Sequence, residues 1–309
     1  MDWFIIGDYT YWTAREENLE YALEDTFQGV GAAQGAAQGR LYRTNNPWVS
    51  GFKAGLGTDF CRNGWDINAF YTWFKSDTKG STPSFSTVPG FGVPLLLDIY
   101  WNINSLGDGN SWSFGEAHWR LNLNVVDLEL GRNFYVSPRL MVRPFYGFKG
   151  VWTKQRMDVV FDGVDPMGLS LINSMANKMN NWGIGARAGM DTSWHFTRNF
   201  SLIGDMAFTA LWEQFKVHRM DTVDAVGVLF ISIFDFKENQ YAVKPVIEWM
   251  MGLKWESGFS CDAYHLALVA GWEQQLWFGQ NKFLRLPATV GTGGDLTLQG
   301  LTVDVRFDF

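Results

Sequence analysis

The chain has 309 residues and a net charge of −7, and it is 47% hydrophobic, 17% aromatic and 18% charged, with 16 Trp against 4 His and 2 Cys. That is ample apolar material for a large core, and the acidic balance, with no basic stripe, argues against a nucleic-acid partner. No window approaches the roughly 18 uninterrupted apolar residues of a spanning helix, and the longest runs, 93–101 and 226–236, fall short. A mean hydropathy of −0.11 suits a membrane barrel, in which every second residue faces a polar interior. Met1 runs straight into strand-like sequence, so an exported protein would be a mature form without its signal peptide.

Period-two alternation recurs along the whole chain. A first strand begins near Trp3 and ends in a long link at about 19–44, whose small-residue stretch 29–40 reads as an external loop. In 48–59, Trp48, Phe52, Ala54 and Leu56 oppose Val49, Gly51, Lys53, Gly55, Gly57 and Asp59. The turn at 61–64 returns the chain into a strand with Trp65, Ile67, Ala69, Tyr71 and Trp73 on one side and Asp66, Asn68 and Thr72 on the other. Residues 117–130 alternate again, with Ala117, Trp119, Leu121, Leu123 and Val125 as the apolar side. The phase then slips so that Val126, Leu128 and Leu130 become apolar against Asp127 and Glu129, which predicts a β-bulge. Further strands cover 140–153, 182–195 and 200–213. The last three cover 243–256, 264–278 and the C-terminal 300–309, where Leu301, Val303, Val305, Phe307 and Phe309 oppose Asp304, Arg306 and Asp308.

These runs are about 12 to 16 residues long, whereas globular strands have five or six and a tilted spanning strand needs roughly 9 to 11. Eleven Trp, including Trp119, fall on the apolar sides, many near strand ends, where interfacial girdles belong. Short links at 61–64, 136–139, 197–199 and 257–262 alternate with long ones at about 19–44, 77–111, 158–180, 218–240 and 280–294, the pattern of periplasmic turns and external loops. The prediction is an all-β, closed antiparallel transmembrane barrel of about ten strands, or twelve if part of 93–114 adds a pair. One domain spans 1–309, its first and last strands pairing to close it. Phe307 and Phe309 end the closing strand as a signal for the outer-membrane assembly machinery.

The stretches GDYTYWTAREENLEYA (7–22), GWDINAFYTWF (64–74) and above all NVVDLELGRNFYVSPRLMVRPFYGFKGVW (124–152) resemble the Legionella-type major outer-membrane protein family and its porin relatives in environmental chlamydiae. The resemblance covers essentially the whole chain and implies a pore-forming barrel in the bacterial outer membrane. It supplies no catalytic motif. With two cysteines, Cys61 and Cys261, the chain departs from the cysteine-rich envelope of the chlamydial relatives. Both cysteines fall in short turns about four strand spacings apart, near 20 Å, so no disulfide between them within one chain is expected.

The alternation assigns a charged lining. Its bases are Lys53, Arg120, Arg143, Lys149, Arg187, Lys244 and Arg306, and its acids are Glu129, Asp205, Glu213, Glu248, Glu273 and Asp304; Asp8, Asp66, Asp127 and Asp191 share that phase. Such a lining selects ions and small polar solutes if the lumen is open, or fills a narrow lumen with ion pairs. Inward glycines (51, 55, 57, 147, 183, 185, 189) favour the passage, since glycine leaves the space a side chain would fill. Arg120, Arg143, Lys149 and Arg187 should form a basic wall across the lumen from Glu129, Asp205 and Glu248. His118, His195 and His265 lie on separate strands, so no metal site or cofactor is expected. Without a G-x-S-x-G motif, neither is an enzyme. Two function classes follow: a diffusion porin for ions and small polar solutes, or a non-conducting adhesin or structural barrel whose long loops bind a partner. The lipid bilayer is a partner in both, and self-association into a homo-oligomer is left open.

Overall fold

The computed structural model describes residues 2–24, 39–60, 64–84, 97–99, 111–165, 167–225, 231–259, 264–284 and 293–309. In chain order the strands are β1 (Asp2–Glu16), β2 (Ala22–Glu24), β3 (Leu41–Tyr42), β4 (Trp48–Phe60), β5 (Trp65–Ser81), β6 (Leu97–Ile99) and β7 (Ser111–Arg132). They continue as β8 (Phe134–Ser137), β9 (Leu140–Val164), β10 (Ser170–His195), β11 (Phe200–Ala225), β12 (Ile231–Phe259), β13 (Tyr264–Asn281) and β14 (Gly294–Asp308). Ten of them, β1, β4, β5, β7 and β9 to β14, pair antiparallel in a closed ring, with β1 beside β14 as the seam. The barrel is therefore ten-stranded. Instead of adding a barrel pair, β6 joins β2 and β3 in a separate three-stranded sheet, and β8 is a short addition along β9.

The ring is staggered. The residue row that leaves β12 at Tyr241 passes through Gln214, Trp182, Trp152, Asn124, Trp73, Phe52, Tyr9, Val303 and Ala270 and returns to β12 at Leu253, 253 − 241 = 12 residues further on. A stagger of 12 over ten strands tilts them by roughly 40° and sets a backbone radius of about 10 Å. Both termini and the links near 60–65, 133–139, 196–199 and 259–264 share one end of the barrel, here the terminal end; the opposite end is the loop end.

The outer surface carries an apolar band between two aromatic belts. Toward the loop end, Tyr11 stacks on Trp48 and Trp48 meets Trp272, at centroid separations of 5.7 and 5.8 Å. Trp152 lies beside Trp182, and Trp212 contacts both Trp182 and Tyr241 at 5.6 Å. Toward the terminal end stand Trp194, Phe200 beside Trp255, and Tyr264 stacked on Phe307. Trp182 and Trp194 are 12 residues apart on β10, about 30 Å along the barrel axis at that tilt, which is the thickness of a bilayer's hydrocarbon core.

Four strands outrun the band. β9 to β12 have 25, 26, 26 and 29 residues, so 158–180, expected as a loop, is mostly strand with a five-residue link at 165–169, and β11 and β12 likewise extend into 218–240. Above the loop-end belt the polarity of the wall reverses. On β7, Val126 and Leu128 point outward and Asp127 and Glu129 inward. Nearer the loop end, His118, Arg120, Asn122 and Asn124 point outward while Ala117, Trp119, Leu121, Leu123 and Val125 are buried inside. No register shift occurs at 125–127 against either neighbour, so the expected bulge is absent; the irregularity on β7 lies between Trp112 and Phe114. The phase slip in the sequence marks the place where the strand leaves lipid, and an outward residue must then be polar. β9 switches from outward Trp152 to Lys154, Arg156 and Asp158, and β14 from Leu301 to Gln299 and Thr297. Trp119, fully buried and inward, corrects the expectation that it faces lipid.

Candidate functional site

The lumen follows the same division. In the loop-end half an apolar core includes Trp12, Phe74, Trp119, Leu123, Met157 and Phe215, joined by Leu19, Tyr21 and Phe283 from the links. Asn177 and Arg219 both donate to the carbonyl of Leu284, at 3.0 and 2.8 Å, and Asn281 donates to the carbonyl of Glu17, which ties those links into the barrel mouth. Burial there pushes the Tyr21 phenol up to about 12, so it stays neutral.

Below this core the lumen is ionic. Lys53 sits on Glu273 at 2.6 Å. Lys149, almost wholly buried, lies 2.7 Å from Asp127 and 3.0 Å from Glu248. Arg187 reaches Glu129 at 3.1 Å and contacts Glu248. Arg143 is clamped by Asp66, its Nε 2.9 and 3.0 Å from the two carboxylate oxygens, and by Asp191 at 2.6 Å. Burying so many charges is tolerable only because each cation has carboxylate partners at hydrogen-bond distance.

Tryptophans form the boundary between the two halves. Trp12 Nε1 donates to Thr302 at 3.1 Å, Thr302 donates to Glu273 at 2.9 Å, and Lys53 lies 5.1 Å from the Trp12 ring. Lys149 lies 5.7 Å from the Trp277 ring, whose Nε1 donates to Gln275. Trp119 Nε1 donates to Gln155. Each indole puts its ring into the apolar core and its N–H toward a polar partner.

Between the ion pairs lies a cavity of about 240 Å³, lined by eight carboxylates, among them Asp8, Asp205, Glu248 and Asp304, and three cations, Lys53, Lys149 and Arg187. Among the described residues Asp8 and Asp205 form no ion pair. The cavity is therefore polar, rich in carboxylates and large enough for several waters at bilayer depth.

Of the thirteen candidate lining residues, Lys53, Glu129, Arg143, Lys149, Arg187, Asp205, Glu248, Glu273 and Asp304 converge on this part of the lumen. Arg306 stands nearer the terminal mouth, bonded to Asp308 at 2.6 Å and over the Phe4 ring at 3.7 Å. Glu213 and Lys244 face inward higher up, where Glu213 accepts from Asn181 and Gln280. Arg120 is on the outside, paired with Asp158 at 2.5 Å, because β7 has already left the apolar band there. The expected basic wall facing an acidic one is replaced by direct contacts between the two signs. Nor do the inward glycines leave a passage. A Cβ on Gly57 would strike Phe4, on Gly189 Phe145, on Gly55 Phe70 and on Gly183 Glu213, so neighbouring side chains already fill those spaces. Sequence reasoning missed Trp12, Trp277 and Thr302, whose signal was an inward indole next to an inward charge.

Of the three histidines compared above, His118 faces outward on Asp77. His195 and His265 do converge at the terminal mouth, on Glu256 at 3.2 and 3.7 Å, but Lys254 also holds that carboxylate, at 2.5 Å. Among the described residues no group of three or more His, Cys, Asp or Glu is placed to hold a metal ion. Cys61 and Cys261 lie outside the described residues. Phe309 pairs with Trp3 through both backbone hydrogen bonds, at 2.9 and 3.2 Å, closing the seam.

No curated protein matches the chain. Among solved structures it is similar to the outer membrane protease OmpT from Escherichia coli, at 10% identity over 100% of this chain and 96% of that one, with a TM-score of 0.43. It is also similar to a Pseudomonas aeruginosa FadL homologue, at 8% identity over 100% and 90%, TM-score 0.28, and to the Pseudomonas putida toluene transporter TodX, at 8% over 99% and 89%, TM-score 0.23. At such TM-scores these likenesses carry no argument about activity. The match to a family model is of another kind, because it runs over residues 1–309, and with the closed barrel and its two belts it identifies the chain as a member of the family of the Legionella pneumophila major outer membrane protein precursor.

Proposed function

We propose that the protein is an outer-membrane channel for passive diffusion of ions and small polar solutes, with a preference for cations and no reaction to catalyse. The observation that carries this reading is the polar cavity at bilayer depth, where carboxylates outnumber cations. A carboxylate-rich chamber with room for several waters lowers the energy of a cation entering the low-dielectric layer and raises that of an anion. The apolar core above it is the closed gate of the route, and conduction requires those side chains to part. On this reading Phe309 addresses the assembly machinery, and the charged residues of the lumen set selectivity.

A second reading, a non-conducting barrel that presents its long walls to a partner, is favoured by the apolar packing of the loop-end half. Single-channel current in planar bilayers separates the two. The channel reading expects discrete steps with a reversal potential on the cation side in a salt gradient. Glu273→Gln, which removes the carboxylate paired with Lys53, should shift that potential toward anions. Absence of steps from correctly folded protein would reject the channel and leave the structural barrel.

A further inference from the structure

We propose that the outer wall of β5 to β12, just above the loop-end belt, is a binding site for the phosphorylated headgroup of an acylated glycolipid in the outer leaflet. Two rows of outward residues run across six neighbouring barrel strands there. The lower row is Lys75, Asn122, Lys154, Asn180, Lys216 and Asn239, each directly opposite the next in register. The upper row is Asp77, Arg120, Arg156, Lys178, His218 and Lys237, paired in the same way. A chain of net charge −7 thus places seven of its 25 Lys and Arg on twelve contiguous positions.

The neutralised members are identifiable. Asp158 takes Arg120 at 2.5 Å and Arg156 at 2.8 Å, and Asp235 takes His218 at 2.8 Å. Among the described residues Lys75, Lys154, Lys178, Lys216 and Lys237 form no ion pair, and Lys75, Lys154, Lys178, Lys216 and Lys237 are exposed. Directly beneath the lower row the same strands carry Trp73, Asn124, Trp152, Trp182, Gln214 and Tyr241, part of the loop-end belt.

The vertical order selects the chemistry. Below the belt an apolar face accepts acyl chains; about 5 Å above it stands a row in which lysines recur at every second strand, roughly 10 Å apart, with asparagines between. Lysine ammonium groups suit phosphate, and asparagine amides suit the hydroxyls and amides of a sugar. A soluble polyanion would have no use for the aromatic shelf, and a zwitterionic phospholipid would gain little from five unpaired cations. The placement assumes that the loop end faces outward, which the channel reading does not require.

The test uses the full-length protein in detergent micelles, titrated with bisphosphorylated lipid A and with the same glycolipid stripped of its phosphates, bound lipid being counted by native mass spectrometry. The wild type should retain the phosphorylated form, and retention should fall with salt. At about 1 kcal/mol per cation near an anionic lipid surface, Lys154→Gln, Lys178→Gln and Lys216→Gln together should weaken binding by roughly 100-fold. Asn180→Lys, which adds a cation to the row, should tighten it by about fivefold. Arg132→Gln, Arg139→Gln and Arg198→Gln, which remove three charges at the terminal end, should change little. Equal weakening by both triple variants would mean attraction to overall charge and would overturn the site, as would equal retention of the two glycolipids by the wild type.

Discussion

Lys149 is almost wholly buried in the lumen and in contact with Asp127 and Glu248. Lys149→Met keeps the length and most of the volume but leaves Asp127 and Glu248 with Arg187 alone as their cation. Breaking a buried pair from one side costs about 3–5 kcal/mol, so the urea midpoint for unfolding from lipid vesicles should fall accordingly. A change below about 1 kcal/mol would mean that Arg187, and not Lys149, neutralises those acids. Strand alternation assigns Lys149 and Arg187 their inward phase, since a one-residue slip would have turned Trp152 and Trp182 inward. It did not show which carboxylate each one touches. That depends on the 12-residue stagger, which is set only when β14 closes on β1, nearly 300 residues apart in the chain.

At the scale of the strand, the lesson lies in β7. Its apolar residues 117–125 and 126–130 alternate on opposite faces, and hydropathy alone cannot distinguish a bulge from a change of surroundings. Outward Asn122 and Asn124 place the change at the belt. Substitutions report it directly. Phe148→Arg on β9, outward within the apolar band, should destabilise the barrel by about 2–4 kcal/mol, whereas Asn122→Arg above the belt should cost about 0–1 kcal/mol. Equal costs in vesicle-based denaturation would refute the assigned bilayer height. The same blindness hid the far halves of β9 and β10. There outward Lys178 and Asn180 and inward Asn177 and Asn181 flatten the contrast between faces, and a stretch without contrast reads as a loop.

For the molecule as a whole, the barrel wraps two interiors, one ionic and one apolar, in two outer solvents. The apolar one is the obstacle to flow. Trp119 on β7 and Phe215 on β11, three strands apart around the ring, are fully buried in it, and cutting both to alanine removes several kcal/mol of packing. The double variant should show higher single-channel conductance than the wild type, with ion preference still set by the lumen below. Unchanged conductance in a folded double variant would place the constriction elsewhere, most directly at the ion pairs of Lys149 and Arg187.

The height of the long strands has a consequence at the cell surface. Trp152 marks the belt and Val164 the end of β9, 12 residues on, so the β9–β10 turn stands about 30 Å above the hydrocarbon. That is a mast, and its tip carries Met167 almost fully in the open. A peptide tag spliced between Met167 and Gly168 would ride clear of the sugar layer at its base, touching neither the ionic chamber nor the seam, and antibodies would reach it on intact cells.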